Sequence, residues 1–221
     1  MVKMEVVYST EKDADNYVRT IFKGIPFTHG RDNLKEKLLS WLDNDLQNLI
    51  TNAVNADDAY NKVHVYLQNQ SQEILEKIDK SKQNLQGAWD LYGEQSIKFL
   101  EFLYQQSFPF DNLIAYLTTN NICPYDYTEH SFYVGYKAAT SAQLRTAVHE
   151  LNHFMFYYYY PHLGKDLDQE KYELLKESLT FFSNPEKRGN PNESGLRKLF
   201  MSRSWNNLKE AIEAGATFLK A

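Results

Sequence analysis

Apolar residues recur at steps of three and four along two stretches in the first half of the chain, the spacing of one face of an amphipathic helix. The first stretch runs from Asp32 to Ile50 and the second from about Asp57 to Gln106. Glycine lowers helix stability, so we expect the second helix to break or bend near Gly87 and Gly93. The apolar faces of both stretches predict helices packed on a core.

The pattern changes to short apolar runs of strand character. Residues 113–119 form one such run, bounded by Asn120-Asn121, and residues 131–136 form another. A shorter run at residues 5–8 is a further candidate. Apolar, β-branched and aromatic residues between turn-forming residues are typical of strands. The chain is therefore expected to contain two or three strands.

Helical spacing then returns. Thr140 and Ser141 can cap a helix whose apolar face includes Leu144, Val148, Leu151 and Met155, and Pro161 should end it. A second helix is predicted from Asp168 to Asn184-Pro185, and a last helical region from Leu196 to about Leu219. The order of elements predicts an α+β fold with a helix-rich portion at residues 1–107, which is expected to form one compact unit with residues 108–221.

Composition narrows the classes of function. Of the 221 residues, 43% are hydrophobic and 14% aromatic, enough to bury a core, and the net charge is −5 with no run of five basic residues. Nucleic acid and anionic membranes are therefore not expected as partners. No secretory signal and no apolar stretch of about 18 residues occurs, so we expect a cytoplasmic protein. Because Cys123 is the only cysteine, any metal site must use His and carboxylate ligands.

One short motif indicates metal chemistry. His149-Glu150-Leu151-Asn152-His153 places two histidines four residues apart on the predicted helix, where both side chains point to the same side. Neutral imidazole is a good ligand for Zn²⁺, and a catalytic zinc site has three protein ligands and a position for water. Glu150 lies beside the pair and can act as the general base and then the general acid.

The third ligand must come from another element. Glu170, Glu173 and Glu177 share one face of the next predicted helix, and at least two of them are expected to be solvated. We predict Glu177, because small and apolar residues follow it at once in Ser178-Leu179-Thr180, as suits a carboxylate that enters a packed interior. Glu173 is the alternative.

These residues resemble the gluzincin group of zinc metallopeptidases. His149-Glu150-x-x-His153 is followed by Glu177 after 177 − 153 = 24 residues, and in that group the third ligand is a glutamate on the next helix. Residues 108–210 are also similar to small, uncharacterised prokaryotic HExxH proteins. The resemblance implies a zincin-like fold, with a small mixed or antiparallel sheet whose edge strand pairs with an extended substrate; residues 131–136 are the candidate strand.

The chain departs from the pattern of the thermolysin-like enzymes at Phe181, where that pattern has an aspartate that supports a ligand histidine. Thr180 is the candidate for this supporting role. The Gly-rich exopeptidase segment of the zinc aminopeptidases is also missing.

Stabilisation of an oxyanion needs a further donor across from the metal. Tyrosines 157–160, Tyr160 among them, and the histidines His162 and His130 are candidates, and Tyr133 is a further candidate for binding the substrate or the transition state. The pattern does not choose among them. Cys123 is interpreted as a buried thiol rather than a ligand, since its neighbours differ from those of the ligand cysteine in peptide deformylase.

The sequence thus predicts a zinc-dependent hydrolase, a metallopeptidase acting on a peptide or protein substrate. Two alternatives stay open. One is a zincin-shaped binding protein whose helices at residues 32–106 recognise a partner, and the other is a zinc hydrolase with a non-peptide substrate.

Overall fold

The computed structural model describes residues 2–23, 36, 39–184, 189 and 191–220. The fold is helix-rich α+β with one small mixed sheet, as predicted. The described residues form two compact units. The sheet unit comprises residues 3–90 and 112–144, and the helical unit comprises Val2 with residues 91–111 and 145–220. Across these ranges, no helix is both long and apolar enough to cross a membrane.

Four strands form the sheet of the sheet unit. They are β1 (Lys3–Tyr8), β2 (Asn112–Thr118), β3 (Tyr125–Asp126) and β4 (Ser131–Gly135). Their order is β1-β2-β4-β3, with β1, β2 and β4 parallel and β3 antiparallel to β4. In β2, Leu113, Ala115 and Leu117 are buried at every second position, so one face of the sheet packs on the core.

The prediction that residues 131–136 form an edge strand is wrong. β4 pairs with β2 on one side, and on the other side β3 pairs with Ser131 and Phe132. The N–H of Tyr133 donates to the carbonyl oxygen of Pro124 at 2.8 Å, which extends this cover by one residue. The turn at residues 127–130 folds the chain back so that β3 lies along β4, and residues 131–133 are therefore already bonded where a substrate strand would pair.

The outer edge of β1 is covered by a side chain. The Gln86 amide accepts a hydrogen bond from the Val6 N–H and donates one to the Met4 carbonyl, each at 3.0 Å. These bonds occupy backbone groups that an exposed edge strand would offer to another chain.

The helices before the second strand begin at side-chain caps. They are α1 (Thr10–Val18) with a π-helical turn (Arg19–Lys23), α2 (Asn44–Thr51), α3 (Ala56–Gln68) and α4 (Gln72–Tyr104). The side chains of Ser9, Asp43 and Asn55 each accept a hydrogen bond from the N–H three residues later. Of the helix predicted from Asp32 to Ile50, residues 32–35, 37 and 38 lie outside the described residues.

The predicted break near Gly87 and Gly93 is wrong, because α4 is continuous through both glycines. The break lies earlier, at residues 69–71, where Asn69 ends α3 by bonding the Val65 carbonyl through its backbone and its side chain. At the start of α4, the Ser71 carbonyl oxygen accepts a hydrogen bond from the Leu75 N–H, and the Ser71 hydroxyl accepts one from the Ile74 N–H. Capping groups, rather than glycine, therefore decide where the helix stops.

A buried polar network joins α1 to the carboxyl end of β2. The Asp13 carboxylate accepts hydrogen bonds from the Thr118 hydroxyl at 2.5 Å and from the N–H and hydroxyl of Thr119. The Asn16 amide donates to the Thr118 hydroxyl oxygen at 2.9 Å. Beside this network lies the apolar cluster of the unit, which contains Ala14, Tyr17, Ile21, Leu46, Ile50, Val63 and Leu67.

The later helices follow the predicted order. They are α5 (Thr140–Tyr159), α6 (Leu163–Asp166), α7 (Gln169–Ser183), a 3₁₀ turn (Pro191–Glu193), α8 (Ser194–Met201) and α9 (Leu208–Lys220). α5 ends two residues before Pro161, and the Asp168 carboxylate caps α7 by accepting the N–H of Lys171 at 2.8 Å. The helical region predicted from Leu196 to about Leu219 consists of α8 and α9, separated at residues 202–207. In the helical unit, α7 contacts both α8 and α9.

Candidate metal centre

The two histidines of the motif lie on α5 within the helical unit. The distance between their Nε2 atoms is 3.0 Å. The exposed fraction is 8% for His149 and 1% for His153. The i, i+4 spacing therefore brings two buried imidazoles to one point, as the sequence predicts.

The helix α7 supplies the third side chain of the cluster. Glu177 Oε1 lies 3.3 Å from His153 Nε2, and Glu177 Oε2 lies 3.7 Å from His149 Nε2. Its side chain is 29% exposed, so the cluster is open to solvent on the glutamate side. Among the described residues, these three are the one group of His, Cys, Asp or Glu whose ligand atoms all lie within 4.8 Å of one another.

These distances fit one zinc ion. Metal–ligand distances of about 2.0–2.2 Å in a tetrahedral site place neighbouring ligand atoms about 3.3 Å apart. The 3.0 Å between the imidazole nitrogens and the 3.3 Å from His153 Nε2 to Glu177 Oε1 lie near that value, and the second Glu177 oxygen lies 3.7 Å from His149 Nε2. Two imidazoles and one carboxylate are also a known ligand set of catalytic zinc, which leaves a fourth position for water.

Glu150 is buried beside the cluster on α5. Its Oε1 lies 3.9 Å from His149 Nε2, and its exposed fraction is 6%. Glu150 is outside the group whose ligand atoms all lie within 4.8 Å of one another, and a carboxylate beside that group can exchange a proton with a water at the centre. The arrangement can therefore combine a metal with a neighbouring base.

A buried lysine, which the sequence did not single out, contacts Glu177. Lys176 Nζ lies 3.2 Å from Glu177 Oε1, and the Lys176 side chain is 3% exposed. Burial acts to raise the pKa of the Glu177 carboxyl, but its neighbours His153 and Lys176 outweigh burial and hold the pKa well below its ordinary value. Glu177 is thus kept ionised, the state in which it can bind a cation.

The alternative third ligand, Glu173, is engaged elsewhere. Its Oε2 lies 2.7 Å from Lys176 Nζ, and its Oε1 accepts hydrogen bonds from the Tyr157 hydroxyl at 2.6 Å and the Gln169 amide at 3.2 Å. Glu173 is 1% exposed and is not part of the three-residue cluster. The geometry favours Glu177 as the ligand.

A second set of hydrogen bonds holds α5 in place. The Tyr104 hydroxyl donates to the Asn152 side-chain oxygen at 2.7 Å, and the Asn152 amide donates to the Ser183 hydroxyl at 3.2 Å. Asn152 is the fourth residue of the motif, so the motif itself is anchored to α4 and to the end of α7. The Thr180 hydroxyl donates to the Glu177 carbonyl at 2.7 Å, a bond within its own helix rather than the predicted support of a histidine.

Two further candidates of the helical unit, Tyr160 and His162, contact residues outside the metal-ligand cluster. Tyr160 is buried and stacks on Phe156 with ring centroids 5.8 Å apart. His162 is exposed and faces the Tyr160 ring at 6.0 Å. Tyr160 is therefore a core aromatic residue. The contacts described for Tyr160 and His162 do not include the metal ligands.

His130, Tyr133 and Cys123 belong to the sheet unit. His130 has a positive φ of 48° and packs edge-on against Tyr127. The Tyr133 hydroxyl donates to the Lys12 carbonyl at 3.1 Å, so it is used within the unit. Cys123 is half-buried instead of fully buried as predicted, and it is not part of the metal-ligand cluster.

Comparison of the chain with protein-family models, with curated proteins and with solved structures gave no match.

Proposed function

We propose that this protein is a zinc-dependent hydrolase of the gluzincin type that cleaves a peptide or a related amide bond. The convergence of His149, His153 and Glu177 from two helices, with Glu150 beside them, is the observation that carries the proposal. A zincin-like arrangement, with the motif on one helix and the third ligand on the next, agrees with this placement.

Each residue has a role in the proposed reaction. His149, His153 and Glu177 would hold the ion; when bound, zinc lowers the pKa of a water and polarises a substrate carbonyl. Glu150 accepts a proton from the attacking water as the water oxygen bonds to the carbonyl carbon. It then gives that proton to the leaving nitrogen as the carbon–nitrogen bond breaks.

The peptide substrate is supported by the gluzincin resemblance. The sheet adds no support, because β4 is paired on both sides at Ser131 and Phe132 and is not an edge strand for a substrate to join. We therefore place the substrate class at amides, with peptides first. A purified protein should be tested against peptide, amide and ester libraries side by side.

The test begins with elemental analysis of the purified protein, which should contain or take up one zinc per chain. Glu150→Gln should retain the zinc and lose turnover by about 10²–10⁴-fold, the usual contribution of a general base. His153→Ala should lose both. Glu170→Gln is the matched control, because Glu170 is an exposed glutamate outside the metal-ligand cluster.

Two results would overturn parts of the proposal. A wild-type protein that takes up no zinc would remove the metal site. Stoichiometric zinc without turnover of any library, together with a binding activity unchanged by Glu150→Gln, would instead show a binding protein.

A further inference from the structure

A buried set of charged and polar groups lies directly behind Glu177. Lys176 contacts Glu177 Oε1 at 3.2 Å and Glu173 Oε2 at 2.7 Å, with both Lys176 and Glu173 almost fully buried. Tyr157 donates to the other oxygen of Glu173 at 2.6 Å. The lysine ammonium also lies over the Tyr157 ring, 5.2 Å from its centroid.

This network joins the two helices that carry the ligands. Tyr157 lies on α5 one helical turn after His153, whereas Glu173, Lys176 and Glu177 lie within about one turn of one another on α7. A chain of contacts thus runs from the histidine helix through Tyr157, Glu173 and Lys176 to the Glu177 carboxylate.

Stability alone does not account for such a network. Transfer of two charges from water to a buried position costs free energy that their attraction often does not offset. Apolar residues of similar volume often give equal or greater stability. Two buried charges beside a metal-ligand cluster therefore suggest a role in geometry.

We propose that Lys176, held by Glu173 and Tyr157, is a positioning residue that fixes the orientation of the Glu177 carboxylate for the metal. Its ammonium contacts Oε1, the oxygen that also lies 3.3 Å from His153 Nε2, and this contact restrains rotation of the carboxylate beside the histidines. The inference rests on the proposed zinc site and adds to it a residue outside the ligand set.

The test uses the full chain and measures the zinc dissociation constant by competition with a chromophoric chelator. The central variant is the double substitution Lys176→Met with Glu173→Gln, which removes one positive and one negative charge and leaves no buried charge of this pair unpaired. Positioning predicts that zinc binding weakens by about 10–100-fold, the usual effect of losing a group that orients a ligand. Lys165→Met, at an exposed lysine, is the control.

The single variant Lys176→Met separates positioning from charge. Loss of a positive charge beside a cation should tighten zinc binding if charge alone matters, whereas loss of the restraint on Glu177 should weaken it. Circular dichroism shows whether each variant is folded, and the double variant keeps the test valid if the single one unfolds.

The outcomes are distinct. A wild-type protein without zinc affinity would overturn the proposed function itself. A wild-type protein that binds zinc, together with a folded double variant of equal or higher affinity, would overturn the role of Lys176 and leave the zinc site standing.

Discussion

The Asp13 carboxyl is buried at the carboxyl end of β2, and its protonation should be visible in the stability of the whole protein. Burial raises its pKa from 3.8 to about 6, although the hydrogen bonds from Thr118 and Thr119 act in the opposite direction. The difference between 3.8 and about 6 corresponds to about 3 kcal/mol, at 1.36 kcal/mol for each pKa unit.

The direction in which stability changes with pH depends on whether the folded or the unfolded state holds the Asp13 proton more tightly. The folded state does, because its Asp13 pKa is the higher one, so stability from this group is complete below about pH 3.8 and is lost as the pH rises through about 6. Between pH 4 and pH 7 the wild-type protein should lose up to about 3 kcal/mol through Asp13. Asp13→Asn cannot titrate and should not show this loss.

The assay is urea unfolding at several pH values, followed by tryptophan fluorescence, for wild type and Asp13→Asn. The comparison is between slopes against pH, so a hydrogen bond weakened by the amide shifts the variant curve without changing its slope. Asp111→Asn, at an exposed aspartate, controls for the lost charge.

Parallel curves for wild type and Asp13→Asn would refute this reasoning. So would an Asp13 carboxyl that titrates at or below pH 3.8 by NMR. Either result would mean that the hydrogen bonds from Thr118 and Thr119 outweigh burial.

Further predictions concern the helical unit. Glu177→Gln should weaken zinc binding, measured by chelator competition, more than loss of a residue that only orients a ligand, for which about 10–100-fold is usual. Lys176→Met should lower the free energy of unfolding by about 3–5 kcal/mol, because it leaves a buried carboxylate unpaired. As a control, Lys77→Met removes an exposed ion pair and should leave the free energy of unfolding, measured by urea unfolding, essentially unchanged. Tyr104→Phe should cost about 1–2 kcal/mol in that assay, since the buried Asn152 oxygen loses its donor at 2.7 Å.

Local signals were sufficient for much of the fold. Periodicity placed α5 and α7, together with Pro161 after the end of α5 and the Asp168 cap at the start of α7, because the chemistry of both residues is local. Local sequence also led to the prediction of Glu177 as the third ligand. Glu177 shares a helix face with Glu173 but is followed by residues suited to a packed interior.

The errors arose where tertiary contacts decide. A glycine inside a helix costs only about 1 kcal/mol, which packing of a long helix such as α4 offsets at Gly87 and Gly93. The cover of β4 by β3 depends on the turn at residues 127–130, whose course is not set by the pattern of apolar residues. Lys176 gave no signal, because a lysine in a helix is exposed by default and its burial depends on partners from two helices.

The pairing of β1 with β2 has a consequence for how this chain is made. Val6 pairs with Ala115, a separation of 115 − 6 = 109 residues. On a ribosome the first strand must therefore wait, unpaired, until more than half of the chain has been synthesised. A fragment that starts at residue 108 would lack β1 and leave the flank of β2 unpaired, so it should aggregate.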